Sequence, residues 1–171
     1  MGGIGRSSRN NKEAKMAGII SITGMLAGTI GLFFGFFYLS HKPHTSLEIV
    51  TITTVGIVGV LAFVRHVIFN KSDAKRLGWE NEKPDWIFEV GFANLAFGFM
   101  GFLSVLARWG TQAQAVVLLG YALYLFQAAC LHGYRYFTDE KKSPARLWRS
   151  CLATLLFAGM MAFFAFYTLL L

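Results

Sequence analysis

Six polar side chains stand inside otherwise apolar stretches of this sequence: Arg65, His66, Glu89, Asn94, Gln127 and His132. Groups of this kind are costly to place among apolar residues and therefore point to function. Imidazole with carboxylate suits Zn, Fe or Mn. Two histidines on different helices suit axial ligation of a haem, and a Glu with a His suits proton transfer. A hydrogen-bond network that only locks helices together uses the same groups. No zinc-finger spacing, nucleotide-binding glycine loop or nucleophile elbow is present, so the sequence spells no soluble-enzyme motif. Neither metal nor haem is firmly implied; if there is one, His66, His132 and Glu89 are its candidate ligands.

These residues need long helices to position them. The 171 residues are 55% hydrophobic and only 15% charged, against about 25% charged in a soluble domain, and mean hydropathy is +0.50. That excludes a conventional soluble enzyme, a disulfide scaffold and a disordered chain. Apolar runs of the length that crosses a bilayer fall at about 17–39, 47–69, 86–107, 113–132 and 150–171. The expected fold is all-α: an integral membrane bundle of five transmembrane helices forming one domain over 17–171. Residues 1–16, with Arg6, Arg9, Lys12 and Lys15 among glycines, serines and asparagines, read as a basic, flexible tail.

Of the 16 Lys and Arg, thirteen fall on one side of such a bundle. Lys42 and Arg108 fall on the other, and Arg65 lies within the second span. The positive-inside rule then predicts a cytoplasmic N-terminus and an external C-terminus in a prokaryotic cytoplasmic membrane. The net charge of +7 becomes a rim facing anionic headgroups and not a nucleic-acid footprint. Cys130 and Cys151 lie at cytoplasmic helix ends and read as free thiols.

With this topology His66, Glu89 and His132 share a depth near the cytoplasmic face, and Asn94 and Gln127 lie one to two turns deeper. A site binding a small ligand or handling protons is expected there. At about 100° per residue, Glu89 and Asn94 project some 140° apart, as do Gln127 and His132, so only a subset can converge. His66 is the best anchor, and Arg65, about 100° round from it, is expected to reach outward to the interface. Trp79 and Trp86 flank the loop between the second and third spans and suit interfacial anchors at the rim, with Pro84 opening the next helix.

Small residues supply the packing surfaces. Gly24, Gly28, Gly31 and Gly35 share one face of the first span. Gly56, Gly59 and Ala62 line the second, ending at His66. Gly91, Asn94, Gly98 and Gly101 line the third, whose opposite face carries Ala93 and Ala96. Two small faces predict a central third helix, and the glycine faces also suit a second copy or a membrane partner. Five spans do not divide into two equal inverted repeats, which weakens an alternating-access reading.

The strings His66-Val67-Ile68-Phe69, Gly78-Trp79 and Glu89-Val90-Gly91-Phe92-Ala93-Asn94-Leu95-Ala96 resemble an uncharacterised family of small prokaryotic multi-pass membrane proteins. His132-Gly133 is similar to that family's later helix-end histidine. The resemblance covers roughly half the chain. It implies a short helical bundle in which His66, Glu89, Asn94 and His132 are the positions of interest, and it implies no reaction. The chain departs from the pattern at Arg65, where relatives tend to have Gly, and at Lys83-Pro84-Asp85-Trp86, where they tend to have Ser-Pro-Phe-Gln.

Overall fold

The computed structural model of the chain describes residues 4–71, 73, 85–138 and 147–170, with side chains from residue 15 onward. Its elements are five helices: α1 (Ile4–Leu39), α2 (Pro43–Ile68), α3 (Asp85–Leu106), α4 (Thr111–Thr138) and α5 (Leu147–Leu170). There is no strand among the described residues. All five are long and apolar enough to cross a membrane, in α1 over Lys15–Leu39.

Helix α1 begins at Ile4, so most of the basic segment 1–16 continues the first span as helix. Residues 9–16 include Arg9, Lys12, Glu13, Ala14, Lys15 and Met16, all good helix formers. Propagating an existing helix costs far less than nucleating one.

The central helix is α2 and not α3: it packs on all four others, whereas α3 packs principally on α2 and α4. The composition of α2 explains its place. It opens on Pro43, at a position where the missing N–H costs nothing. Two of its buried hydroxyl groups find acceptors within reach: Ser46 donates to the Gly35 carbonyl of α1 at 2.7 Å, and Thr54 to the Val50 carbonyl at 2.7 Å, whereas the buried Thr51 hydroxyl has no hydrogen-bond partner among the described residues. The second small face of α3 finds no such cover, since Ala96 is exposed and Ala93 half-buried.

Close backbone approach joins α2 to α3. A Cβ at Gly59 would lie 2.7 Å from the Asn94 carbonyl oxygen and 3.0 Å from Gly98 Cα, and one at Gly101 2.9 Å from the Gly56 nitrogen. These contacts are backbone on backbone, which only glycine permits. On α1, a Cβ at Gly31 would strike Thr53, and one at Gly35 would strike Val50 and approach Phe164. At Gly28 it would meet the Phe157 ring at 2.8 Å, whereas Gly24 has only Leu61 at 3.9 Å. The glycine face of α1 is therefore filled from α2 and α5. A core of Leu47, Val50, Leu118, Tyr121, Met161 and Phe164 lies among α2, α4 and α5.

Three stretches are wound as π-helix: Thr51–Ile57 and Val64–Ile68 in α2, and Leu147–Leu152 in α5. Such turns occur frequently at functional sites. Helices α3 and α4 are joined by four residues in which Arg108 and Gly110 have positive φ (54° and 91°), and the Trp109 amide donates to the Ser104 carbonyl at 3.1 Å. That reversal sets α3 and α4 side by side.

Candidate functional site

Two polar clusters stand where α2, α3 and α4 meet. The first is built on the π-turn Val64–Ile68, closed by the Phe69 amide donating to the Val64 carbonyl at 3.3 Å. An i→i+5 turn holds more residues than an α-turn, so adjacent side chains diverge less. Arg65 and His66 consequently turn toward each other, with Arg65 Nη2 3.1 Å from His66 Nε2. The chain runs on for one further turn, the Asp73 amide donating to the Phe69 carbonyl at 3.0 Å. That turn returns the Asp73 carboxylate to the same place. Asp73 Oδ2 lies 2.7 Å from His66 Nδ1, and Oδ1 lies 3.4 Å from Arg65 Nε.

The protonation pattern follows from donor chemistry. A guanidinium only donates, so His66 Nε2 accepts from Arg65. The ring is then neutral, with its hydrogen on Nδ1; Asp73 Oδ2 lies beside that nitrogen at 2.7 Å, without the alignment of a hydrogen bond. Asp73 is only 1% exposed, and a carboxylate so enclosed needs a cationic neighbour; Arg65 supplies the charge. Arg65 Nη1 also lies 3.5 Å from the Ser21 hydroxyl of α1. Arg65 therefore lies against His66, Ser21 and, one turn beyond the span, Asp73.

The second cluster lies deeper, between α3 and α4. The Asn94 amide nitrogen donates to the Val90 carbonyl at 2.7 Å and to the Tyr124 hydroxyl at 2.9 Å, while the Tyr121 hydroxyl donates to Asn94 Oδ1 at 2.7 Å. Tyr121 and Tyr124 stack with centroids 5.8 Å apart, and Phe97 packs against both. The two clusters adjoin across α3, where Gly91 stands next to Val90 and three residues before Asn94. Gly91 permits this proximity. A Cβ there would meet Val67 at 2.5 Å and His66 Cβ at 3.4 Å.

The residues expected in one layer are thus divided. His66 and Arg65 stand in the first cluster and Asn94 in the second. Glu89 and Gln127 are exposed on the outer surfaces of α3 and α4, so neither contributes to the clusters. His132 is half-buried in α4, and Trp86 is half-buried at the start of α3. Trp79 lies outside the described residues, as do Gly78, Lys83 and Pro84. Among the described residues no three His, Cys, Asp or Glu side chains stand together to hold a metal. Both ring nitrogens of His66 are engaged, so coordination there would first have to release Arg65 or Asp73. Cys130 and Cys151 are free thiols.

Sequence reasoning passed over Asp73, Tyr121, Tyr124 and Ser21. Asp73 stands among charged residues after the second span and reads as part of a solvated patch. The tyrosines carry a usable signal. At about 1.5 Å per residue, Tyr121 and Tyr124 lie about 15 and 20 Å along α4 from the α3–α4 turn, and Asn94 about 18 Å along α3.

A family of unknown function, DUF6790, matches residues 14–169. The chain belongs to that family. No curated protein and no solved structure matches it. The DUF6790 match takes in both polar clusters and all five apolar spans.

Proposed function

We propose that this DUF6790 protein is an integral membrane protein of five spans, with a cytoplasmic N-terminus and an external C-terminus, that takes up and releases a proton at His66. Five apolar helices and the one-sided placement of Lys and Arg support the membrane reading and its orientation. The observation carrying the function is His66 set between a carboxylate and a guanidinium, with Asp73 at 2.7 Å and Arg65 at 3.1 Å.

A proton arriving at Nε2 would face the Arg65 donors, so uptake has to move the guanidinium aside. Asp73 would then hold the imidazolium through Nδ1. Near-neutral titration is the ordinary property of an imidazole, and proton relays are built from Asp, Glu and His within spans. Displaced from Nε2, Arg65 still has the Ser21 hydroxyl of α1 nearby. The site therefore couples a proton to a side-chain position shared by α1 and α2.

The test is proton movement into liposomes that hold the full chain and a trapped pH indicator, under an imposed pH gradient. The chain is expected to collapse the gradient faster than empty liposomes, and His66→Ala and Asp73→Asn are expected to abolish the difference while remaining folded. If the unaltered chain matches empty liposomes, or if both variants only unfold, His66 and Asp73 are a structural lock.

A further inference from the structure

Of the six intraspan polar side chains, Glu89 and Gln127 are the exposed ones, and neither cluster uses them. Both are exposed, and among the described residues no hydrogen bond or ion pair holds either one. They flank the same seam. Glu89 adjoins Val90, whose carbonyl faces the Tyr124 hydroxyl at 3.5 Å, and Gln127 stands one turn beyond Tyr124 on α4. Their depths also agree: counted from the α3–α4 turn at about 1.5 Å per residue, Glu89 lies about 25 Å along its helix and Gln127 about 24 Å along its own.

Small residues continue the same face. Glu89, Ala93 and Ala96 stand at i, i+4 and i+7 on α3. Among the described residues no helix covers this small face of α3, whereas the glycine faces of α1, α2 and the other side of α3 are filled from within. A carboxylate and an amide on the outside of a bundle, some 5 Å inside a hydrocarbon layer of about 30 Å, are costly to leave against lipid.

We propose that a second copy of this chain covers this face about a two-fold axis along the membrane normal, the Gln127 amide of each copy donating to the Glu89 carboxylate of the other. Such an axis preserves depth, so only residues at equal depth can pair across it, and these two meet that condition. The pair is self-complementary, as an isologous interface requires, and Ala93 and Ala96 allow the helices to approach. The inference rests on the reading of α3 and α4 as membrane spans.

The experiment uses the full chain with Cys130→Ser in liposomes, with two separately tagged preparations carrying Glu89→Cys and Gln127→Cys. Oxidation is expected to join the two tags in one product. Without the cysteines, Glu89→Leu or Gln127→Leu is expected to weaken dimer formation about three- to tenfold, and Glu89→Gln combined with Gln127→Glu to restore it. Both leucine variants should melt no lower than the parent, because both sites are exposed. A chain that enters liposomes and stays monomeric, a dimer indifferent to both leucine variants, or a different protein retained through Glu89 would overturn the proposal. A chain that does not enter liposomes would overturn the membrane reading beneath it.

Discussion

The Tyr121 hydroxyl donates to Asn94 Oδ1 at 2.7 Å, and the Asn94 amide nitrogen is itself taken up by the Val90 carbonyl and the Tyr124 hydroxyl. Every polar atom of the Asn94 side chain is used, in a place where it is 3% exposed and Tyr121 0%. Removing one member leaves a buried partner unpaired, at about 1–3 kcal/mol. Asn94→Leu is therefore expected to lower the unfolding free energy in mixed micelles by about that amount. Tyr121→Phe, which strands only one acceptor lobe, should cost less. Their double variant should fall short of additivity by about 0.6–1.7 kcal/mol, the range of interhelical hydrogen bonds in bilayer proteins; strict additivity would show the bond to be energetically silent.

Glycine positions separate into those that must be glycine and those that need not be. At Gly59 a methyl group would press on the Asn94 carbonyl and the Gly98 backbone, neither of which can swing aside. Gly59→Ala is expected to destabilise the fold by about 1–3 kcal/mol and to loosen the second cluster, since the obstructed backbone belongs to Asn94. Gly159 has nothing within 4 Å of a Cβ, and Gly159→Ala should be neutral or stabilise by up to about 1 kcal/mol. Thermal unfolding of the two variants side by side checks the contrast.

Five apolar runs could be read from the sequence because each has the length and composition of a span, and the observed helices follow those runs to within four residues, except that α1 begins at Ile4 and α4 runs on to Thr138. The central helix could not be read in the same way. Ala93 and Ala96 on α3 advertise a second packing face, but whether a neighbour occupies it depends on the register of the other four helices. The nearness of Arg65 to His66 could not be read for a local reason. The usual 100° per residue separates it from His66, whereas the π-turn and the return of Asp73 draw the two together. Asp73 carried no signal of burial, lying as it does between Lys71 and Lys75, and only the turn that follows Phe69 folds it beneath Arg65.

That placement makes a residue outside the apolar spans one of the most sensitive in the chain. Asp73→Ala would leave the Arg65 guanidinium without its carboxylate, and deleting one partner of an enclosed ion pair costs about 3–5 kcal/mol. Because the Arg65 side chain is 22% exposed, the lower end of that range is expected. Arg65→Gln combined with Asp73→Ala should recover part of the loss by removing both charges. Chemical denaturation of the three variants measures it, and a double variant as unstable as the sum of the singles would mean that the pair is not coupled.

The hydrogen-bond geometry further predicts the tautomer of His66. With Arg65 donating to Nε2, the neutral ring carries its hydrogen on Nδ1, the less common form in solution. Nitrogen NMR of histidine-labelled protein should give His66 a protonated Nδ1 and an unprotonated Nε2 near neutral pH. Arg65→Leu should free Nε2 and allow the other tautomer to appear. A protonated Nε2 in the unaltered chain would overturn both the assignment and the coupling between the proton and Arg65.

Orientation supplies a prediction independent of either cluster. Lys42 and Arg108 are the basic residues of the two turns at one end of the bundle, while Lys15, Lys71, Arg135 and Arg149 gather at the other. If cytoplasmic retention of Lys and Arg sets the topology, a reporter fused after Leu171 should be active outside the cell, and one fused before Met1 inside it. Adding lysines at Thr45 and Thr111 narrows the difference and should produce mixed orientation. Replacing Lys42 and Arg108 with Gln widens it and should leave a single orientation. Equal labelling from both sides in the unaltered chain would show that the basic residues do not set the orientation, and it would remove the basis for placing His66 and Asp73 at a cytoplasmic entrance.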